Sequence, residues 1–282
     1  MMSEENSGTF WDHLDVFRLC LIRSFAVVFV FSVLAFCFKD IVFDGIILAP
    51  TKDTFPTFGF FRYIGEKFSI EDFSMELSPI TIINTKLSAQ LFVHLSISFY
   101  VGFLVSIPYI IGEIWFFVRP ALYKHERKLT ISALFFTSLL FYLGVLTSYY
   151  LIFPMSVNFL ANYHVSDQVA NMVDLDSYID TLISLCLSLG AVFELPVLAH
   201  FFSRIGILSY EFMRNHRKHS FVVILILAAI ITPSTDIFTM LITALPVQLV
   251  YELSVWVVKR NCKNKKTQTT DCINRLFAFL FC

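Results

Sequence analysis

Six apolar runs constrain the fold more than any other feature of the chain. A helix needs about 20 apolar residues to cross a hydrocarbon layer ~30 Å thick. The runs lie at about 19–38, 87–118, 129–153, 177–202, 221–232 and 237–258. The first is interrupted only by Arg23. The second exceeds the hydrocarbon thickness, which predicts tilt or an extension into water, and Pro108 predicts a kink. The third is expected to end at Pro154, and the fourth carries Glu194. The fifth would be about 18 Å long as a helix, so it predicts a thinned bilayer or a recessed position. A short turn, Pro233 to Asp236, separates it from the sixth. Charged residues make up only 15% of the chain and hydrophobic ones 57%, with 33 phenylalanines. A soluble domain averages about 25% charged. The expectation is an all-α, polytopic membrane protein with six transmembrane helices.

The connecting segments set the expected orientation. Residues 39–86 contain Pro50, Pro56, Pro79 and scattered charge, too long for a turn and too mixed to span. Loops 119–128 and 203–220 are basic, whereas 154–176 has no lysine or arginine. Sixteen basic residues fall on one side and five on the other. The five (Lys39, Lys52, Arg62, Lys67 and Lys86) all lie in the long first loop, where charge steers insertion least. Both termini are therefore expected in the cytoplasm, and a bacterial cytoplasmic (inner) membrane is the expected location. Residues 1–258 read as one membrane domain and 259–282 as a flexible basic cytoplasmic tail. The acidic, polar start, Met1 to Asp12, lacks the form of a cleaved leader, so the first run reads as a retained anchor. Ahead of it, Phe10, Trp11, Leu14, Phe17 and Leu21 form one apolar face near Asp12, Asp15 and Arg18. This is either an interfacial helix or the wet first turns of span one.

Several chemistries are disfavoured. With a net charge of −1, nucleic acid is not an expected partner. The six cysteines fit no common zinc or redox spacing, and no cofactor is expected. No nucleophile–base motif or phosphate-binding glycine loop occurs, so an enzyme is not expected. No internal repeat supports a secondary transporter.

Two acids stand out. Glu194, in Phe193-Glu194-Leu195-Pro196, lies roughly 13 Å inside the fourth run. A carboxylate at that depth costs several kcal/mol and marks a pathway or polar patch, or else a buried acid bonded to a neighbouring helix. Pro196 frees a backbone carbonyl one turn earlier and adds polarity at that depth. Glu126 is the lone acid in the basic loop from Arg119 to Lys128. It could accept a guanidinium in a bidentate pair or merely offset Arg127 and Lys128 in a plain positive-inside loop. Glu113 and Glu252 fall near span ends, in the interface or beside arginines, and Asp236 can cap the last helix.

These residues resemble, in order and spacing, the signatures of the TatC family of twin-arginine translocase subunits. The matching segments are Phe10 to Arg23 with His13, Leu14 and Arg18; Pro120-Ala-Leu-Tyr-Lys-His-Glu-Arg127; Phe193 to Pro196; Ile231-Thr-Pro233 with Asp236; Ala244-Leu-Pro246; and Tyr251-Glu252. The resemblance implies a concave all-α bundle and a non-enzymatic receptor. Such a receptor binds the twin-arginine signal peptides of folded precursor proteins, recruits single-span TatA/TatB-type subunits, self-associates in membrane lipid and works with the proton-motive force. It implies that Glu126, with Pro120, Leu122, Tyr123 and Arg127, meets the signal peptide. Asp12, Asp15 and Arg18 join them from the amino-terminal signature, and Glu194 and Pro196 form an intramembrane partner contact. Two positions depart from the family pattern. Val16 stands where a glutamate is usual, so Asp12, one turn earlier on the same face, or Asp15, about 100° away, is expected to supply the carboxylate. Met240 stands where a glutamine is frequent. The competing readings are an ion- or proton-coupled transporter using Glu194, an intramembrane enzyme, and a scaffold indifferent to Glu126.

Overall fold

The computed structural model describes residues 10–52, 55–68, 82–118, 130–163, 172–205, 207–232 and 237–280. Ten α-helices occur among them: α1 (Phe10–Cys37), α2 (Pro56–Phe68), α3 (Ala89–Val118), α4 (Thr130–Thr147), α5 (Phe153–Asn162), α6 (Leu175–Val192), α7 (Leu195–Ile205), α8 (Tyr210–Asn215), α9 (Arg217–Ile231) and α10 (Ile237–Leu280). Five helical stretches are long and apolar enough to cross a membrane: Leu14–Cys37, Ala89–Phe117, Leu134–Asn162, Leu175–Arg204 and Ile237–Arg260. The chain is an all-helical, multi-pass membrane protein. Its outward residues fit that solvent: Phe25 is 66% exposed and Leu245 69%, which is tolerable only against lipid. The expected fifth span lies within α9, whose 15 residues extend only about 22 Å.

Two boundaries differ from the sequence expectation. The third run does not stop at Pro154. A π-helical stretch, Ser148–Ile152, carries α4 into α5, and the Phe153 N–H reaches back to the Ser148 carbonyl. That widened turn puts Pro154 in the first turn of α5, where a missing N–H costs nothing. At the other end, α10 continues as helix to Leu280, past the expected end of the last run at 258. α1 runs unbroken from Phe10, so the apolar residues ahead of the first span are the opening turns of the same helix. α3 likewise stays continuous through Pro108.

The chain forms two compact units. The first comprises Met1–Leu139 with Asp167–Ile179. Here α1 packs along α3 in the opposite sense, as three contacts show. Phe17 meets Phe117 (ring centroids 5.4 Å), Ser32 meets Gly102, and Phe36 stacks on His94 at 4.0 Å. Gly102 is needed at the crossing, because a Cβ there would come within 2.7 Å of the Ser32 Cα. The connection after α1 is compact rather than formless: a π-helical turn (Ile41–Ile47), a 3-10 turn (Ala49–Thr51) and then α2. Buried Tyr178, in the first turn of α6, donates its hydroxyl to the Ile47 carbonyl at 2.8 Å. Two strands of two residues, β1 (Ile82–Ile83) and β2 (Val173–Asp174), pair in parallel with Ile82 opposite Val173. Beside them the Thr85 hydroxyl donates to Asp174 Oδ1 at 3.0 Å, and Lys86 pairs with Asp176 at 3.0 Å. The two loops expected on the exported side are thus stitched together where α3 and α6 begin.

The second unit comprises Leu140–Ser166 and Asp180–Cys282. α10 is its spine, packed against α7, α8 and α9. Ala199, Met213, Val255 and Val258 form one buried cluster; Ile224, Ala228, Ala244 and Val247 form another, and Tyr251 packs against both. The Tyr251 hydroxyl accepts from Ser220 Oγ at 2.8 Å and donates to the Met213 carbonyl at 3.1 Å. Next to it Arg217 pairs with Glu252 at 2.8 Å.

Candidate functional site

The intramembrane acid is built by a break in a helix. α6 ends at Val192 and α7 starts at Leu195, so Glu194 occupies the joint. Pro196, which is buried, has no N–H to offer the Val192 carbonyl, and the helical ladder must be interrupted nearby. The joint is closed with other backbone bonds: the Glu194 N–H donates to the Ala191 carbonyl (3.2 Å), and the Glu194 carbonyl accepts from Val197 (3.0 Å) and Leu198 (3.1 Å).

α4 lies against this joint at backbone distance. A Cβ on Gly144 would sit 2.7 Å from the Leu189 carbonyl oxygen and 2.9 Å from the Gly190 Cα. A Cβ on Gly190 would sit 2.9 Å from the Phe141 ring. Paired glycines let the helices touch, as small residues do in membrane interfaces generally. The Glu194 carboxyl lies beside the Phe141 backbone, and its Oε1 is buried without a hydrogen-bond partner. A buried carboxyl oxygen without a partner is an open acceptor. It suits a polar group presented by another transmembrane helix.

The first turns of α1 supply the second feature. Asp15 and Arg18 are exposed on α1, and Val16 is 53% exposed. Asp12 lies on the same helix, with its side chain outside the described residues. Glu126, Arg127, Tyr123, Leu122 and Pro120 all fall in 119–129, outside the described residues. Of the expected peptide site, the described residues therefore hold only the α1 half. Asp236 also lies outside them.

Comparison with known proteins decides what these features belong to. Residues 12–246 match the family described as Sec-independent protein translocase protein (TatC). The chain belongs to the TatC family. It is similar to the Sec-independent protein translocase protein TatC of Blattabacterium sp. subsp. Periplaneta americana (strain BPLAN), 32% identical over 259 residues, covering 91% of this chain and 97% of that protein. It is also similar to the TatC protein of Aquifex aeolicus (strain VF5), 30% identical over 256 residues, covering 90% of this chain and 96% of that one. A crystal structure described as the twin-arginine translocase receptor TatC superposes with a TM-score of 0.67 at 29% identity, covering 88% of this chain and 98% of the solved one. Membership in this non-enzymatic transport family sets aside the intramembrane-enzyme reading and the reading of an ion- or proton-coupled transporter using Glu194.

The TatC frame gives the two departures a local account. Met240 packs against the cluster of Ile224, Ala228, Ala244 and Val247, so in this member the position fills the α9–α10 seam with a flexible apolar side chain. Val16 is an exposed valine on α1, next to the exposed Asp15. Of the acids near span ends, Glu252 pairs with Arg217, whereas Glu113 accepts from the Tyr109 hydroxyl at 2.8 Å. Sequence reasoning missed the Gly144–Gly190 contact and the Ser220–Tyr251–Met213 chain. A glycine in a helix with no apparent reason to be there was the available signal for the first.

Proposed function

We propose that this chain is the receptor and core subunit of a twin-arginine protein translocase. It binds twin-arginine signal peptides of folded precursor proteins and recruits single-span TatA/TatB-type subunits for transport driven by the proton-motive force. The observation that carries the reading is agreement over most of the chain, in sequence and fold, with a solved twin-arginine translocase receptor.

Glu126 receives the signal-peptide guanidinium in two parallel hydrogen bonds, a geometry that a lysine ammonium cannot copy. Pro120, Leu122, Tyr123 and Arg127 meet the signal peptide with it, and Asp12, Asp15 and Arg18 join them from the amino-terminal segment. Glu194 and Pro196 present the polar spot inside the bilayer that a partner helix contacts. This is supported by the orphaned Oε1 and the glycine-tight joint that holds it. Residues 1–258 form one six-span membrane domain with α9 as its short fifth span. The basic loops and both termini lie in the cytoplasm of a bacterial cell, and copies of the chain self-associate in the inner membrane.

The deciding experiment places a photoreactive group beside the arginine pair of a signal peptide and measures crosslinking in membranes. Crosslinks are expected with the wild type, and are expected to be lost with Glu126→Ala or with a twin-lysine peptide. Equal crosslinking in all three would refute the assignment of Glu126. No crosslinking to a folded, inserted wild-type protein would refute the receptor reading itself.

A further inference from the structure

We infer that Glu113, held by Tyr109, is the second carboxylate that reads the signal-peptide arginines in this chain, in place of the acid missing at Val16. This rests on the receptor reading and goes further by naming a residue on a different helix.

The α1–α3 seam sets the geometry. Phe17 against Phe117 and Ser32 against Gly102 fix an antiparallel register. Glu113 is four residues from Phe117 on α3, one turn or about 6 Å along the seam, and so lies on the face turned to α1. On α1 the turn opposite holds Cys20. Cys20 is buried and lies within electrostatic range of Glu113, and Arg23 lies within range of Tyr109. Val16 is one turn from Cys20, toward the start of α1. A guanidinium aimed at the Val16 position therefore needs to reach only one further turn down the seam to meet Glu113. A long side chain covers that distance by laying its methylenes along apolar neighbours such as Phe17 and Phe117.

The state of Glu113 fits the task. The Tyr109 hydroxyl fixes Oε1 at 2.8 Å and so sets the orientation of the carboxylate. Among the described residues the ion pairs are Lys86–Asp176 and Arg217–Glu252; Glu113 has none, and Arg23 is not within ion-pair distance of it. Among the described residues nothing occupies Oε2, which is left to accept from an incoming guanidinium. Asp15, by contrast, is exposed on α1, and among the described residues no group orients it. A carboxylate with one oxygen already anchored loses less freedom on binding than a free one.

The test measures binding of a fluorescent twin-arginine signal peptide, and of its twin-lysine variant, to the full-length protein in lipid nanodiscs. Wild type, E113Q, Y109F, E126Q and the double variant D12N/D15N are compared. E113Q is expected to weaken the twin-arginine peptide about tenfold to a hundredfold, the range for a lost hydrogen bond to a charged group. It should also shrink the arginine-over-lysine preference. Y109F keeps the charge but frees it to rotate, and a loss of about threefold to tenfold is expected. Wild-type affinity in E113Q, or a loss confined to D12N/D15N, would overturn the inference while leaving the receptor reading intact. A wild-type protein that binds both peptides alike would instead sink the receptor reading. Should E113Q fail to accumulate, E113D withdraws the carboxylate by one methylene without removing it. An intermediate loss of arginine preference then supports the inference, and no loss refutes it.

Discussion

Replacing Gly144 by alanine separates intrinsic helix propensity from helix–helix contact. In a helix, alanine is favoured over glycine by about 0.5–1 kcal/mol. Gly112, in α3, has nothing within 4 Å of where an added methyl would sit, so Gly112→Ala should show that gain undiluted. At Gly144 the same methyl would sit 2.7 Å from the Leu189 carbonyl oxygen and 2.9 Å from both the Gly190 Cα and the Phe193 Cβ. Two of those three atoms are backbone and cannot rotate aside, so α4 must move off the α6–α7 joint. Overpacking of this kind costs about 1–3 kcal/mol, which outweighs the propensity gain. Gly190→Ala should fall between the two, because its methyl would meet mainly the tip of the Phe141 ring and a Val145 methyl, which can yield. Thermal unfolding in a mild detergent should therefore rank the variants Gly112→Ala, Gly190→Ala, Gly144→Ala from most to least stable. A Gly144→Ala protein as stable as Gly112→Ala would show that the close helix contact does not exist in the folded protein.

Glu194→Leu removes a carboxyl whose Oε1 is buried without a partner, so the isolated protein is expected to gain up to about 1–2 kcal/mol, less what the contact with the Phe141 backbone contributes, while export of a twin-arginine substrate is lost; unfolding and transport assays read the two effects separately. Tyr251→Phe removes one donor and one acceptor linking α8, α9 and α10 and should cost about 1–2 kcal/mol, visible as a lower unfolding midpoint; an unchanged midpoint would mean the hydroxyl bonds are not formed. Lys86→Met breaks an exposed ion pair and should cost less than about 1 kcal/mol, and a double-mutant cycle with Asp176→Asn measures the coupling directly.

Much of this protein was legible in the linear sequence, because lipid imposes one rule on every span: about 20 apolar residues and a backbone bonded within itself. That rule located the five long helical stretches and marked the run within α9 as the short one. The motifs around Glu126, Glu194 and Tyr251 carried the family resemblance by their order and spacing, and of the three residues only Glu194 stands deep in an apolar run, where a carboxylate is costly. Local breaks were less legible. Pro154 reads as a stop in one dimension, but a π-helical turn beforehand absorbs it, and the chain continues as α5.

The tertiary structure alone decided which residues meet. The β1–β2 pairing joins residues about ninety positions apart through two residues on each side, too few to leave an alternating pattern in the sequence. The spacing of charges placed Glu113 and Glu252 alike near span ends, yet one accepts from Tyr109 and the other pairs with Arg217. The glycines at 102, 112 and 144 look equivalent in their helices, and only the neighbouring backbone shows that two of them permit a close approach while the third stands in open space. Hydrophobic length is a property each segment carries by itself, so the sequence determines it; a contact depends on the register of two segments, which exists only once they have packed.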